Sequence, residues 1–423
     1  MGFGVRFVVI MFSENEKKST GFNCLMIEKI LVGIFSASIF VSKPAITISM
    51  ALLVGFSLFR YFKDGEYRSA LRGDAIVVSS IVVFIVGLFS RLLSPGDIRD
   101  VGYFFYKGLF LVVFPILLLT FRDKENRQLA FVLSMAGFSI SVFMSFIQAF
   151  ILPDAGWNGE RVSGLWDILR WAEITTFVFV FLLAKLFDEN ALHKKYVIFL
   201  CMCFVAVSLI LSGGRAGWVA VIVTSTLYML FLNKKYLIVS ALLLGAGTFI
   251  IGKWEPEKIE FVMGRALSVT ETKEDYSNYS RLLMWGNGLK WLEANMVDNP
   301  RQFMFGIGFK RFEKEYTEYL DSISDSRELI NITHGNYSMR DLHNAYIDSS
   351  NKMGVLYTVL FYAFLVFVAY SFIRNGIAHQ GVGLILSFVI LGVFYANYLE
   401  FQTSVFFFLL ALSHSSVAMR RRD

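Results

Sequence analysis

The chain has 423 residues, of which 56% are hydrophobic and 16% aromatic, while only 17% carry a formal charge. A soluble domain of this length cannot bury so much apolar surface, so the composition excludes soluble proteins and indicates a polytopic membrane protein. The net charge of +6 is spread over short polar loops. It therefore reflects membrane topology and argues against a nucleic-acid partner.

About twelve apolar segments follow one another along the chain, each close to the roughly 20 residues that cross a bilayer as a helix. The predicted spans are Cys24–Val41, Ala45–Phe62, Asp74–Leu93, Val101–Phe121, Leu129–Leu152, Trp171–Phe187, Tyr196–Leu211, Trp218–Leu232, Tyr236–Gly252, Leu356–Ile373, Gly381–Tyr398 and Ser404–Met419. The pattern predicts an all-α helical bundle in contact with membrane lipids. An even number of spans places both termini on the same side.

Lysine and arginine are concentrated in alternate loops, for example between Arg60 and Arg72, whereas the loops between them hold few cations. Cation-rich loops stay in the cytoplasm, so both termini are expected there. By counting, the long polar block 253–350 then faces outward, into the periplasm of a bacterium. We predict an inner-membrane protein with an N-terminal bundle (1–252), a periplasmic loop domain (253–350) and C-terminal spans (351–423).

The long polar block is the natural place for chemistry, because function concentrates in ordered loops positioned by a scaffold. Ser280 reads as the N-cap of a helix that runs to about Met296 and ends before Pro300. Gly306 to Gly308 predicts a turn. Residues 313–340 are polar without a strong period, which predicts short helix mixed with mobile loop.

Two outward-facing arginines have surroundings that suit an anion. Arg215 follows Ser212-Gly213-Gly214, where glycines allow close approach and expose backbone N–H groups; the alternative is an arginine that extends to the membrane interface. Arg281 lies at the predicted helix start, where phosphate binds readily; the alternative is an ordinary solvated cation.

His343 and Asn344 lie where the block re-enters the membrane. Histidine exchanges a proton near neutral pH, so His343 is a candidate base, with a purely structural histidine as the alternative. Asp341 and Asp348 flank it, and either could orient the imidazole or act as a base. In an earlier outer loop, Arg161 and Arg170 are expected to add phosphate contacts, and Glu173 is expected to pair with one of them.

No metal site or cofactor is predicted. The three cysteines lie in or beside apolar runs, and no Asp-x-Asp motif occurs in the outer loops. Arginine would therefore stabilise a phosphate leaving group where other enzymes use a metal. Outward arginines with a histidine at the lipid boundary suit a lipid-linked phosphate or pyrophosphate donor.

The order of these motifs resembles the O-antigen ligase family, in the superfamily that also contains Wzy-type O-antigen polymerases. The similar region runs from about residue 161 to residue 370 and includes Ser212–Arg215, Ser280–Leu282, Leu342–Ile347 and Gly354. The resemblance implies a GT-C-like helical bundle. In this family a glycan moves from undecaprenyl pyrophosphate to a hydroxyl of the lipid A–core at the periplasmic face, without metal or ATP.

The same resemblance assigns residue roles. It matches Arg215 and Arg281 to the phosphate-binding arginines and His343 to the catalytic histidine. Lys352 departs from the pattern, because many members of the superfamily carry glutamate there. A polymerase, whose acceptor is a second lipid-linked glycan, is the closest alternative. A lipid-linked glycan transporter is less favoured, because no internal repeat and few deeply placed ionisable residues are visible.

Overall fold

The computed structural model describes residues 19–152, 159–232 and 275–414, together with residues 234, 260, 263 and 264. Within these ranges every regular element is a helix, so the predicted all-α class is confirmed. Seven of the described helical segments are long and apolar enough to cross a membrane, and two shorter helices are also apolar. The chain is an all-helical, polytopic membrane protein.

Ten helices make up the first part of the described chain. They are α1 (Ser19–Ser38), α2 (Lys43–Lys63), α3 (Gly65–Gly73), α4 (Ala75–Leu93), α5 (Arg99–Lys107), α6 (Phe110–Thr120), α7 (Lys124–Phe150), α8 (Ile168–Asp188), α9 (Leu192–Ser212) and α10 (Arg215–Leu232). The predicted span Val101–Phe121 is divided into α5 and α6 at Gly108. The predicted span Tyr236–Gly252 lies outside the described residues, so the total of twelve stays a prediction.

The second part contains the described portion of the polar block and the last helices. They are α11 (Tyr276–Asp298), α12 (Pro300–Phe305), α13 (Phe309–Ile323), α14 (Ser326–Ile332), α15 (Ala345–Lys352), α16 (Val355–Arg374), α17 (Ala378–Phe394), a 3₁₀ turn (Asn397–Leu399) and α18 (Phe401–His414). The domain boundary expected at residue 350 falls inside α15.

The short helices expected within residues 313–340 are present, but the statement that this segment has no strong period was wrong. Helix α13 buries Phe312, Tyr316 and Leu320, which lie four residues apart on one face. These side chains pack on Trp291 of α11 and form a small core of their own. Three large side chains at helical spacing are enough to order a helix whose other positions are charged.

Helices α8 and α18 form the centre of the bundle. Every residue from Gln402 to Ser413 is buried, and α8 packs against α9, α10, α17 and α18. Protein surrounds these two helices, so they can carry polar side chains that lipid would not tolerate. Glu173 of α8 accepts a hydrogen bond from Gln402 of α18 at 2.9 Å. The sequence predicted that Glu173 pairs with an arginine, but its hydrogen-bond partner is Gln402.

Ion pairs gather at the two ends of the bundle. Helix α2, about 30 Å long by its residue count, has Arg60 paired with Glu28 near its last turn and Lys43 paired with Asp167 at its first. The loops that the sequence assigns to the cytoplasm and to the outside therefore lie at opposite ends.

The described part of the polar block is attached to the Lys43 end of the bundle. Asp100 at the start of α5 accepts hydrogen bonds from the backbone N–H groups of Phe309 and Lys310. Ser94, just after α4, donates to the Gly306 carbonyl at 2.6 Å. These contacts join residues about 200 positions apart, so this part of the block has a fixed position on the bundle.

Candidate active site

The glycine turn before Arg215 is a tight connection between two packed helices. Gly213 ends α9 with φ 63, a left-handed conformation that favours glycine. A side chain on Gly214 would come within 2.3 Å of the Ala172 side chain in α8. The turn is therefore held against the central helix, and Arg215 becomes the first residue of α10.

Helix α11 begins one turn earlier than the sequence predicts. Asp275 is its N-cap and accepts hydrogen bonds from the backbone N–H groups of Ser277 and Asn278. The prediction of Ser280 as the cap was wrong, because an aspartate five residues upstream already fills that role. Ser280 donates instead to the Ser277 carbonyl, and Arg281 lies in the second turn of the helix.

Arg215 and Asp275 connect α10 with α11. Arg215 Nη1 donates to Asp275 Oδ2 at 2.5 Å, and both side chains are largely buried. Burial raises the pKa of Asp275, but the hydrogen bond and charge of Arg215 outweigh this and leave the pKa below its usual value. The carboxylate is therefore charged at neutral pH and remains paired with the guanidinium.

A cavity of about 220 Å³ opens where α10, α11 and the end of α17 meet. Three arginines, Arg161, Arg215 and Arg281, line it together with Asp275. Arg161 packs over Gly213, and its Nε donates to the Ser212 carbonyl at 2.8 Å. The apolar part of the wall consists of Leu169, Ala216, Val219 and Phe394. One cavity thus combines cationic and apolar surfaces.

The charge of the described lining suits a dianion. Three guanidinium groups against one carboxylate leave an excess of two positive charges. Burial, with the nearby Arg215 charge, lowers the pKa of Arg281. The ordinary pKa of arginine is so high that the group stays protonated at neutral pH. An anion that entered the cavity would relieve the repulsion between these arginines.

His343 has an unusual backbone conformation. Its φ is 48, and only one other described residue besides glycine has a positive φ. The backbone N–H of His343 donates to Asp341 Oδ1 at 2.6 Å, and imidazole Nδ1 lies 3.9 Å from the same oxygen. The side chain is 29% exposed. Asp341 therefore holds the His343 backbone and lies close to the ring, which stays accessible.

Asn344 connects the His343 turn to the cavity wall. Its side-chain oxygen caps α15, and its Nδ2 donates to the Val393 carbonyl at 3.1 Å. The two residues after Val393, Phe394 and Tyr395, line the cavity. Asn344, the residue after His343, is thus bonded to the segment that leads into the cavity wall, while His343 is not itself a lining residue.

Of the eight predicted site residues, Arg161, Arg215 and Arg281 line the cavity, and Arg170 and Asp348 are among the five that do not. Arg170 is engaged by Asp167 and by Glu400, whose Oε2 accepts from its Nη2 at 2.7 Å. Asp348 is 1% exposed, and its oxygens accept hydrogen bonds from the Leu342 backbone and from Tyr398. Asp348 therefore bonds the backbone of the residue before His343. The prediction that it orients the imidazole directly or acts as a base was wrong.

Several cavity residues were not identified from the sequence, among them Asp275, Phe394 and Tyr395. Asp275 had a usable signal, because an aspartate directly before Tyr-Ser-Asn is typical of a helix N-cap. Phe394 and Tyr395 had none, since they end one apolar helix among many. They reach the cavity because α17 packs against α8 and α10.

A pair of substitutions at Asp275 separates its two roles. Asp275→Asn keeps a good N-cap but removes the charge that opposes an anion, so KM for an anionic donor is expected to fall several-fold. Asp275→Ala also loses the cap, at a cost to stability of about 1 kcal/mol. Initial rates across donor concentrations, with thermal unfolding in detergent, measure both effects. A higher KM for Asp275→Asn would show that the carboxylate helps to hold the donor.

Among the described residues, no group of three or more His, Cys, Asp or Glu side chains is placed to hold a metal ion. The charged groups that the site does offer are the guanidinium groups of the cavity and the Asp275 carboxylate. Of these, the guanidinium groups are the ones that bind an anion directly.

The fold and the cavity define a polytopic helical membrane protein with an arginine-lined cavity. Residues 198–362 match the family model of the O-Antigen ligase domain, Wzy_C, a stretch that contains Arg215, Arg281 and His343. This part of the chain is therefore similar to the O-antigen ligase domain, which confirms the resemblance seen in the sequence.

A curated relative extends the similarity over most of the chain. The chain is 23% identical over 371 residues to the ComP-specific O-oligosaccharyltransferase of Acinetobacter baylyi. The aligned region covers 85% of this chain but 63% of the relative, so this chain spans less than two thirds of the relative's length.

Proposed function

We propose that this protein is a glycosyltransferase of the O-antigen ligase type. It would transfer a glycan from undecaprenyl pyrophosphate to a hydroxyl of the lipid A–core at the periplasmic face of the bacterial inner membrane. One observation carries the proposal. Three arginines converge on a single amphipathic cavity, and Asn344, the residue after His343, is bonded to the segment that leads into its wall.

The cavity suits both halves of a lipid-linked donor. A diphosphate esterified at both ends carries two negative charges, equal to the excess positive charge of the described lining. The apolar wall, with Val219 and Phe394, offers a surface for the first part of a polyprenyl chain. Planar guanidinium groups bind phosphate oxygens in pairs, so Arg215 and Arg281 are assigned to the diphosphate and Arg161 to an additional contact.

The reaction exchanges one bond to the anomeric carbon for another. The acceptor hydroxyl oxygen bonds to the anomeric carbon, and the bond from that carbon to the diphosphate oxygen breaks. Negative charge grows on the departing diphosphate, where the arginines stabilise it. The hydroxyl proton passes to the His343 imidazole, which Asp341 orients, and the lipid diphosphate leaves.

The remaining predicted residues have supporting roles. Asn344 fixes the His343 turn to the segment that forms the cavity wall. Arg170 helps to hold α8 to the start of α18 through Glu400 at the same end of the bundle. No cofactor takes part in the proposed reaction.

The proposed location of the site follows from charge. Loops rich in lysine and arginine stay in the cytoplasm. The loop of Arg60 lies at the end of α2 opposite Lys43, and the block that bears the cavity and His343 is attached at the Lys43 end. We therefore assign the cavity to the periplasmic side and the termini to the cytoplasm.

A second candidate acceptor is a hydroxyl-bearing side chain of a protein. The relative from Acinetobacter baylyi is described as an O-oligosaccharyltransferase with specificity for ComP. The donor chemistry would be the same in both cases. A polymerase would also use the same donor and would differ only in its acceptor, which is a second lipid-linked glycan.

Reconstitution of the purified protein with one donor and several acceptors tests these assignments. Carrier-linked glycan is supplied with lipid A–core, with a hydroxyl-rich acceptor protein, or alone, and the products are separated by mass. Glycan on lipid A–core supports the proposed ligase. Glycan only on protein, or longer glycans on the carrier, would show that the assigned acceptor is wrong and that the assigned donor chemistry is right. Movement of donor across the bilayer without any new bond would sink the proposal.

Metal removal tests the assignment of leaving-group stabilisation to arginine. We expect transfer in detergent to continue at an unchanged rate after treatment with a divalent-metal chelator, because guanidinium charge replaces the usual metal. Turnover with and without chelator, followed by added Mg²⁺ or Mn²⁺, measures this. A loss that added metal restores would contradict it.

A further inference from the structure

Beneath the His343 turn lies a buried polar cluster that the proposed reaction does not use. It consists of Asp348 (1% exposed), Tyr398 (3%) and Lys352 (8%), here called the Asp348 cluster. Lys352 Nζ lies 2.9 Å from Asp348 Oδ1, and the Tyr398 hydroxyl donates to Asp348 Oδ2 at 2.9 Å. The cluster joins α15 to the 3₁₀ turn before α18.

The Asp348 cluster also bonds the backbone on the N-terminal side of His343. Asp348 Oδ1 accepts from the Leu342 N–H at 3.1 Å, and Lys352 Nζ donates to the Arg340 carbonyl at 2.7 Å. On the C-terminal side, Asn344 caps α15. The backbone is thus fixed on both sides of the residue with φ 48.

Such fixation is what a strained residue requires. A residue other than glycine with a left-handed backbone persists only where its surroundings over-determine it. A buried carboxylate and ammonium are a poor way to gain stability, since both lose their hydration. Here the carboxylate has three hydrogen-bonding partners, and the Phe312 ring covers the ammonium at 4.5 Å. The arrangement specifies one backbone geometry.

We propose that the Asp348 cluster positions His343 for proton transfer. Asp348 and Lys352 act as positioning residues: they hold the Arg340–Leu342 backbone and so set where the imidazole points, without touching either substrate. The inference rests on the proposed function for the role of His343. The hydrogen bonds from Asp348 and Lys352 to the Arg340–Leu342 backbone, here called the clamp, do not depend on that function.

Hydrogen exchange measures the clamp without any reaction. The full-length protein in detergent is compared with Lys352→Met and with the milder Tyr398→Phe, which removes one hydroxyl. We expect amide exchange in a peptide covering residues 340–346 to accelerate at least tenfold in Lys352→Met and less in Tyr398→Phe. Peptides from the central helix α8 report whether the bundle is still folded. Lys29→Met, which removes an exposed ion pair with Glu125 at the other end of the bundle, is the matched control.

Transfer rates on the same samples test the consequence for catalysis. A misplacement of a reacting group by about 1 Å can cost about a hundredfold in rate. We therefore expect kcat to fall between about ten- and a hundredfold in Lys352→Met, with KM for the donor little changed, because the arginine cavity is untouched. Lys29→Met should keep the wild-type kcat.

The outcomes are distinct. Faster exchange at residues 340–346 with lower kcat and intact α8 supports the inference. Unchanged exchange, or faster exchange with wild-type kcat, overturns it. Exchange that rises in α8 as well marks a general loss of fold in Lys352→Met, and Tyr398→Phe then decides by the same two criteria. Wild-type activity of His343→Ala would instead remove the proposed role of His343 itself, whatever the exchange shows.

Discussion

Replacing His343 with alanine is expected to lower kcat by about a hundredfold or more, because a positioned general base contributes that much to proton transfer. The neighbouring contacts explain why the loss should be specific to the reaction. The Asp341 and Asp348 hydrogen bonds that hold the turn reach backbone atoms, which alanine retains. Steady-state transfer of a carrier-linked glycan to its acceptor, at saturating donor, measures the effect.

The matched control for this substitution is His193→Ala. His193 is an exposed residue in the first turn of α9, beside Lys194 and Lys195, and such cation-rich segments are expected in the cytoplasm. Its replacement should leave turnover unchanged. Both variants should unfold at the same temperature as the parent in detergent. A His343→Ala protein with parental kcat would leave the imidazole without a role in the chemistry.

Exchanging either Arg215 or Arg281 for lysine is expected to reduce kcat/KM by about a hundred- to a thousandfold. Lysine keeps the positive charge but loses the planar pair of donors that matches phosphate oxygens. Removing one well-placed donor to a developing anion costs about that factor in other enzymes. For Arg215, lysine also changes the pairing with Asp275. Initial rates over a range of donor concentrations measure the loss.

Arg327→Lys provides the comparison for both arginine variants. Arg327 is an exposed residue of α14 in the same polar block, and its exchange should leave kcat/KM at the parental value. The double variant at Arg215 and Arg281 should lose less than the product of the single losses, because both groups bind one diphosphate. Independent, fully multiplicative losses would indicate that the two arginines serve different parts of the reaction.

Composition and periodicity were enough to predict the all-helical membrane class and most helix positions. Apolar runs of about 20 residues have few stable structures in lipid other than helices, so the local sequence decides. The turn at Gly213 was predictable for the same reason, because a glycine between two helical segments favours a left-handed helix end. The motifs around Arg215, Arg281 and His343 were visible for the same reason, as short strings of unusual residue types between apolar runs.

Tertiary packing decided what those motifs touch. Asp275 became the partner of Arg215, Phe394 and Tyr395 closed the cavity from a helix more than 100 residues away, and Asp348 turned inward towards Tyr398. Arg170 paired with Glu400, 230 positions along the chain, and stayed out of the cavity. Residues of one predicted loop are close in sequence, but each side chain bonds the groups that helix packing brings within about 3 Å of it. A pattern along the chain does not show which distant groups those are.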